Sequence, residues 1–293
     1  MVFYLFLTTK VEKKPNTDAP STIILNRKGI LSVFQRIFAA VSHLATIGKM
    51  GYLQETITPY GGTEAKGGQV ERMFDRIAPR YDLLNHLLSL GIDRHWRRAA
   101  VDSLKPYGPK RVLDVATGTG DFALLTARRL EGVHVTGLDL SEEMLAVGRK
   151  KAKEQGAAEV EFVKGDVLAL PYEAETFDAV TVAYGARNFV DLDMGLAEMR
   201  RVLKPGGRLV IAELTTPVRW PMTWLFALYS KVYMPLMGRL ISGDGAAYRY
   251  LPATMAAFPQ GETMQQVLES AGYTDVRFRR FTAGLNTLYT AAK

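Results

Sequence analysis

Three carboxylates stand at positions in this chain where they could hold a nucleoside. Asp114 closes the apolar run Arg111-Val-Leu-Asp-Val115 and opens Asp114-Val-Ala-Thr-Gly-Thr-Gly-Asp121. Asp139 follows a second apolar run, Val133-His-Val-Thr-Gly-Leu138, and Asp166 follows a third, Val160-Glu-Phe-Val163, within Gly165-Asp166-Val167. Gly118 and Gly120, with Thr119 between them, let the backbone turn sharply and let a ligand approach closely. A helix starting directly afterwards points its free amide groups at the same place. A carboxylate at Asp139 can accept two hydrogen bonds from ribose hydroxyls. Asp166 is placed to meet an adenine amino group, with Val167 packing on the ring. Three acidic positions suit a ligand made of an amine, a ribose and an adenine, and they suit a pyrophosphate poorly. Ala123 keeps a G-x-G-x-x-A dinucleotide pattern formally open. Asp114 and Asp121 would then set two carboxylates beside the phosphates, a repulsion that favours a cationic ligand such as S-adenosylmethionine. Asp121 also reads, equally well, as a plain helix cap.

These residues need strands that end together. Strands are expected at 111–115, 133–138, 160–163, 177–182 and 208–213, alternating with helices at 122–130, 141–155 (capped by Ser141) and 192–202. The alternation predicts an α/β fold with a doubly wound, mostly parallel sheet. Runs at 276–281 and 285–291 add an antiparallel closing hairpin, which makes seven strands. Ahead of the sheet, Val70, Met73, Phe74 and Ile77 follow helical spacing, and a further helix runs from Asp93 to Leu104. The expected organisation is a basic extension at 1–50, a glycine-bearing linker at 51–69 and one domain at 70–293 with a lid inserted at about 218–260.

Composition narrows the chemistry. The chain lacks cysteine, which excludes disulfides, thiolate metal sites and cysteine nucleophiles and fits a reducing compartment. His43, His86, His95 and His134 form no metal-binding spacing, so no metal is expected. The net charge is +7. Seven Lys/Arg against two Asp/Glu in residues 1–50 carry most of it, leaving a nearly neutral body that argues against a nucleic-acid partner. Residues 30–47 could form an amphipathic helix, read either as a membrane-surface or targeting segment or as a dispensable extension with Met50 as the natural start. The Trp220–Ile241 insert is rich in aromatic and aliphatic residues. It reads as a lid that is either buried or docked on a lipid surface.

Tyr81-Asp-Leu-Leu-Asn-His-Leu-Leu-Ser-Leu-Gly-Ile-Asp-Arg-His-Trp96, Tyr184-Gly-Ala-Arg-Asn188 and Arg201-Val-Leu-Lys-Pro-Gly-Gly-Arg-Leu-Val-Ile-Ala-Glu213 carry a resemblance to class I methyltransferases with a Rossmann-like sheet. More narrowly, the chain resembles the ubiquinone/menaquinone biosynthesis C-methyltransferases from Val70 to Lys293. The resemblance implies S-adenosylmethionine as cofactor, with contacts at Thr119, Asp139, Asp166 and Val167. It also implies a polyprenylated hydroquinone as acceptor. The Thr-Gly-Thr-Gly loop leans toward demethylmenaquinol rather than a benzoquinol. Asp93 stands where the family often has a histidine, Thr215 replaces a serine, and Ala183 takes the place of a cofactor-contacting serine. Carbon methylation needs a ring hydroxyl to lose its proton and the ring carbon to sit in line with the methyl group. Arg187 and Asn188 are the expected catalytic residues, one stabilising phenolate or holding a water and the other orienting a ring oxygen. Arg187 also reads as a structural residue bonded to loop carbonyls. Tyr81, Asp82 and Asn85 would close the site, though Tyr81 reads equally as packing; His95 is a weaker candidate base. Another small acceptor and a non-catalytic scaffold stay open, as does a homodimer. The expected location is cytoplasmic, at the inner face of a membrane.

Overall fold

The computed structural model describes residues 51–233 and 245–293. The basic extension at 1–50 and the 234–244 part of the expected lid lie outside the described residues.

Among the described residues, a single helical turn (Leu53–Thr56) and three longer helices precede the sheet: α1 (Lys66–Ile77), α2 (Tyr81–Ser89) and α3 (Asp93–Asp102). The spacing of Val70, Met73 and Ile77 puts all three on the buried face of α1. On α2, Leu84 turns inward while Leu83 and Leu87 are exposed. The segment expected as a linker is instead folded. Gln54 and Gln69 are fully buried, and the buried Lys66 donates from Nζ to the carbonyls of Gln54 (2.6 Å) and Phe189 (3.2 Å). Burial lowers the Lys66 pKa to about 8. Its glycines mimic linker composition, but the buried Gln69 side chain bonds within the segment, to the carbonyls of Gly61 and Glu64, and the Lys66 cation ties it to the Phe189 carbonyl.

The sheet follows as β1 (Arg111–Val115), α4 (Asp121–Arg129), β2 (His134–Asp139), α5 (Glu142–Gln155), β3 (Val160–Lys164), β4 (Phe177–Ala183), α6 (Leu192–Val202) and β5 (Leu203–Leu214). Ser141 caps α5, accepting from the Met144 amide at 3.1 Å, as expected. The described residues then give α7 (Met222–Leu228), α8 (Gly245–Ala257), α9 (Glu262–Ser270), β6 (Thr274–Phe281) and β7 (Asn286–Ala292). The strand order is β3-β2-β1-β4-β5-β7-β6. The β1–β2, β1–β4, β2–β3 and β4–β5 pairs are parallel, and β7 runs antiparallel between β5 and β6. The expected seven-stranded, doubly wound fold is what forms.

Alternation along each strand feeds two cores. Leu113, Val180, Leu209 and Ile211 meet Leu196, Met199 and Leu268 on one face. Val112, Val135, Ala179 and Val210 meet Trp96, Val101, Phe122 and Leu145 on the other. Successive strands depart from β1 in opposite directions, to β2 on one side and β4 on the other, so the chain opens a crevice at their carboxyl ends.

Candidate active site

Two clefts meet above that crevice. The first, about 1060 Å³, is lined by the loop after β1, the ends of β2 and β4, and the loop after β3. The second, about 1510 Å³, is walled mainly by apolar residues of α1, α2, α7 and α8. Phe74, Tyr81, Arg97, Tyr184 and Asn188 line both, so they form the passage between them.

The loop after β1 is shaped for close approach. Gly118 and Gly120 have φ of 57° and 76°, in the left-handed region that glycine enters freely. A Cβ on Gly120 would lie 2.5 Å from the Phe162 ring. The loop is fastened to the end of β2, where Asp139 Oδ2 accepts from the Gly118 amide (2.8 Å) and Oδ1 from the Ser141 amide (2.9 Å). Each carboxylate oxygen keeps a lone pair for a hydroxyl. Burial raises the Asp139 pKa, and the two amides partly offset the rise. Asp166 caps the next turn by accepting from the Leu168 amide at 2.9 Å, and Val167, buried, lines the cleft with Ala183. A hydroxyl-bearing sugar against Asp139 and a flat apolar base against Val167 fit this donor and acceptor set.

Two residues assigned to the ligand, Asp114 and Thr119, are spoken for by the protein, and so is Asp121, which read equally as a ligand-facing charge and as a helix cap. Asp114 is buried and accepts from Thr117 (2.6 Å) and Thr181 (2.7 Å). It braces the loop rather than presenting a free charge, and burial pushes its pKa up to about 6. Asp121 pairs with Arg97 (2.7 Å) and with Lys151. Burial alone would raise its pKa, but the two cations hold it below the usual carboxylate value. The repulsion argued from these two carboxylates therefore loses much of its force. The Thr119 hydroxyl donates to Asp82 (2.6 Å) and accepts from Lys151 (3.3 Å), so it ties α2 to the loop.

At the second cleft, Arg187 is buried and held. Its Nη1 donates to Glu213 Oε1 at 2.6 Å and to the Tyr184 carbonyl, as the structural reading expects. Its Nε has no hydrogen-bond partner among the described residues, and neither does Asn188 Oδ1. Tyr81 sits in the passage, and burial raises its pKa against a weaker opposing hydrogen bond from Asn85. Tyr184 holds φ at 66°, and Ala116, in the neighbouring loop after β1, holds 53°. Strained backbone of this kind gathers at functional sites. His95 is exposed, packs edge-on against Phe281 and lines neither cleft. Among the described residues, no group of acidic or histidine side chains could hold a metal.

Sequence reading assigned no role to Glu213, Arg97, Tyr184 or Tyr250. For Glu213 a signal was present: it ends an apolar strand as Asp114 and Asp139 do. Arg97 follows Asp93 by one helical turn, but its partner Asp121 is too distant in sequence to be inferred.

A sequence model of the ubiE/COQ5 methyltransferase family matches residues 62–293. A demethylmenaquinone methyltransferase of Bacteroides fragilis is 55% identical over 245 residues, covering 83% of this chain and 100% of the relative. One of Deinococcus radiodurans is 46% identical, covering 82% and 98%. A ubiquinone/menaquinone biosynthesis C-methyltransferase of Geobacter sulfurreducens is 46% identical, covering 81% and 93%. Among solved structures, the cyclase SpnF superposes with a TM-score of 0.58 at 19% identity, covering 78% of this chain and 96% of that one. A SAM-dependent methyltransferase of Thermotoga maritima gives 0.55 at 19%, covering 76% and 99%. The structural matches share the fold alone, and one of them is a cyclase, so the fold does not fix the reaction. With the match running through every strand of the sheet and both clefts, the chain belongs to the ubiE/COQ5 methyltransferase family.

Proposed function

We propose that this protein transfers a methyl group from S-adenosylmethionine to a ring carbon of a prenylated hydroquinone, converting demethylmenaquinol to menaquinol. The observation that carries the reading is the pair of joined clefts. One carries the carboxylates of Asp139 and Asp166 that suit a nucleoside, the other is larger and more apolar, and Tyr81, Tyr184 and Asn188 stand between them. Two relatives named for demethylmenaquinone support the naphthoquinol over a benzoquinol.

S-adenosylmethionine, when bound, supplies an electrophilic methyl group. Asp139 would hold its ribose, and Asp166 with Val167 its adenine. Arg187 Nε and Asn188 face a ring oxygen, while Glu213 keeps the guanidinium in place. Met73, Leu84, Leu225, Phe226 and Met255 line the cleft that takes the apolar part of the acceptor and keeps water from the reacting atoms.

A lipid surface is the expected source of such an acceptor. Trp220 is 83% exposed, Trp224 62% and Leu90 75%, and Leu90 also lines the apolar cleft. Of the insert's aromatics, Phe226 faces that cleft, so Trp220 and Trp224 are the membrane candidates. No helix among the described residues is long and apolar enough to cross a membrane; surface docking needs none. Flotation with liposomes should show binding that drops when both tryptophans become Ser, and unchanged binding would remove the docking claim.

The function itself is tested by offering labelled S-adenosylmethionine with reduced demethylmenaquinol or a demethoxy-benzoquinol analogue. Label in the naphthoquinol, lost in Arg187→Ala, is expected. Label in neither acceptor, despite cofactor binding, would refute the assignment and shift weight to another small acceptor or a scaffold.

A further inference from the structure

Six buried polar atoms along the apolar cleft lack a hydrogen-bond partner among the described residues: Asp93 Oδ2, Arg97 Nε, Tyr184 Oη, Arg187 Nε, Asn188 Oδ1 and Tyr250 Oη. Protein interiors rarely leave such groups unpaired, and a run of them along one cleft indicates polar ligand atoms. Their charged neighbours overlap: Tyr250 feels Arg187 and Glu213, and Tyr184 feels Arg97 and Asp93 with Glu213 as well. Tyr81 feels both arginines. Six unpaired polar atoms spread along one cleft fit an acceptor ring with two oxygens better than a ring with one.

Of the six groups, the Asp93 carboxylate is the one whose chemistry suits a general base. Resting on the hydroquinone reading above, we infer that Asp93 is the general base that takes the proton from the ring hydroxyl beside the methylated carbon. Asp93 lies in the first turn of α3 and is 4% exposed. Ser89 Oγ donates to its Oδ1 at 2.6 Å. Among the described residues its Oδ2 accepts no hydrogen bond, and the residue lines the cleft. Arg97 Nη1 lies 3.7 Å from that oxygen, and Arg97 belongs to the passage between the clefts. The charged and titratable groups facing Asp93 are Arg97 and Tyr184, with Asp121 and Lys151 beyond Arg97.

The alternatives are occupied or misplaced. Glu213 is fully buried, and both its oxygens are engaged, Oε1 by Arg187 Nη1 and the Leu214 amide and Oε2 by the Arg187 amide. Arg187 cannot lose its proton, and His95 lies outside both clefts.

The step balances. The hydroxyl O–H bond breaks and its proton goes to Asp93 Oδ2, leaving a phenolate beside Arg97. The ring carbon then bonds to the methyl group as the carbon–sulfur bond breaks, and sulfur leaves as a neutral thioether. The proton displaced from that ring carbon passes to water, and the phenolate recovers its proton from Asp93.

Single-turnover methyl transfer by wild type and Asp93→Asn tests the assignment. The acceptors are short-chain hydroquinones of graded hydroxyl acidity, the range is pH 6 to 10, and S-adenosylmethionine affinity is measured alongside. Asp93→Asn should lower the rate about 100-fold or more at pH 7 with cofactor affinity unchanged. The loss should shrink for more acidic acceptors and at higher pH, where solution supplies the phenolate, and Asp93→Glu should recover part of the rate. Ser89→Ala, which keeps the carboxylate but removes its donor, should move the acidic limb of the pH profile upward. An Asp93→Asn rate within threefold of wild type would overturn the assignment. So would a loss equal for every acceptor at every pH, or an unmoved limb in Ser89→Ala. If wild type methylates no hydroquinone at all, the reading beneath the assignment fails first and the assignment falls with it.

Discussion

Replacing Glu213 with Gln should destabilise the protein and reduce methyl transfer, and the two effects can be separated. Glu213 is fully buried and Arg187 is 6% exposed. The pair is joined at 2.6 Å, and the same carboxylate also accepts from the amides of Arg187 (3.2 Å) and Leu214 (2.9 Å). The amide of Gln turns one acceptor into a donor and leaves the guanidinium charge uncompensated in the interior. Breaking a buried pair from one side costs about 3–5 kcal/mol. For a domain of this size that corresponds to a fall in Tm of roughly 6–20 °C. Thermal unfolding of wild type, Glu213→Gln, Arg187→Met and the double variant measures it. Glu213→Gln should be the least stable, because the guanidinium left behind cannot lose its charge, whereas the carboxylate left in Arg187→Met still accepts from the amides of residues 187 and 214. The double variant should regain stability without regaining transfer, since the donor to the ring oxygen is gone. A Glu213→Gln protein as stable as wild type would refute the claim that Glu213 holds Arg187, and an active double variant would refute a role for Arg187 in the reaction.

Other consequences are more local. Asp139→Ala leaves the amides of Gly118 and Ser141 unpaired and removes the ribose acceptor, so calorimetry should show S-adenosylmethionine affinity lower by about 100-fold or more; near-normal affinity would move the sugar elsewhere. Asp114 has a folded pKa of about 6 against an ordinary 3.8. A raised carboxyl favours the folded state at low pH and loses that advantage as pH climbs through the folded value. The stability of wild type relative to Asp114→Asn should therefore fall by as much as roughly 3 kcal/mol between pH 4 and pH 7 in urea titrations, and a constant difference would contradict the burial argument. Gly120→Ala forces a Cβ to 2.5 Å from the Phe162 ring at a φ of 76°; it should weaken cofactor binding while the sheet still folds, and wild-type affinity would count against the loop's role.

Much of the fold was legible because alternation and caps are local signals. The runs 111–115 and 177–182 show their strand character without reference to the rest of the chain, and Ser141 announces α5. Where a signal was masked or mimicked, the reading failed. Pro252 lies inside α8 and hides a helix that the neighbouring residues support. Five glycines made residues 51–69 resemble a linker, although Gln54, Lys66 and Gln69 are buried. At the site, the places of Asp139 and Val167 along the cleft were legible by position, since a strand end in this topology faces the crevice wherever the chain goes next. The fates of Asp114, Thr119 and Asp121 were not legible, because their partners Thr181, Asp82, Arg97 and Lys151 come from distant segments. A charged residue's type can be read from sequence, but whether its charge is free or already paired depends on the three-dimensional fold.

The joined clefts are tested most directly by a crystal structure of the ternary complex with S-adenosylhomocysteine and a short-chain reduced demethylmenaquinol. The account predicts the ribose on Asp139 and the base against Val167. It places the quinol ring between Tyr81, Tyr184 and Asn188, with its reactive carbon toward the sulfur and its tail among Met73, Leu84 and Phe226. A ring bound outside this passage, or a nucleoside turned away from Asp139, would contradict it.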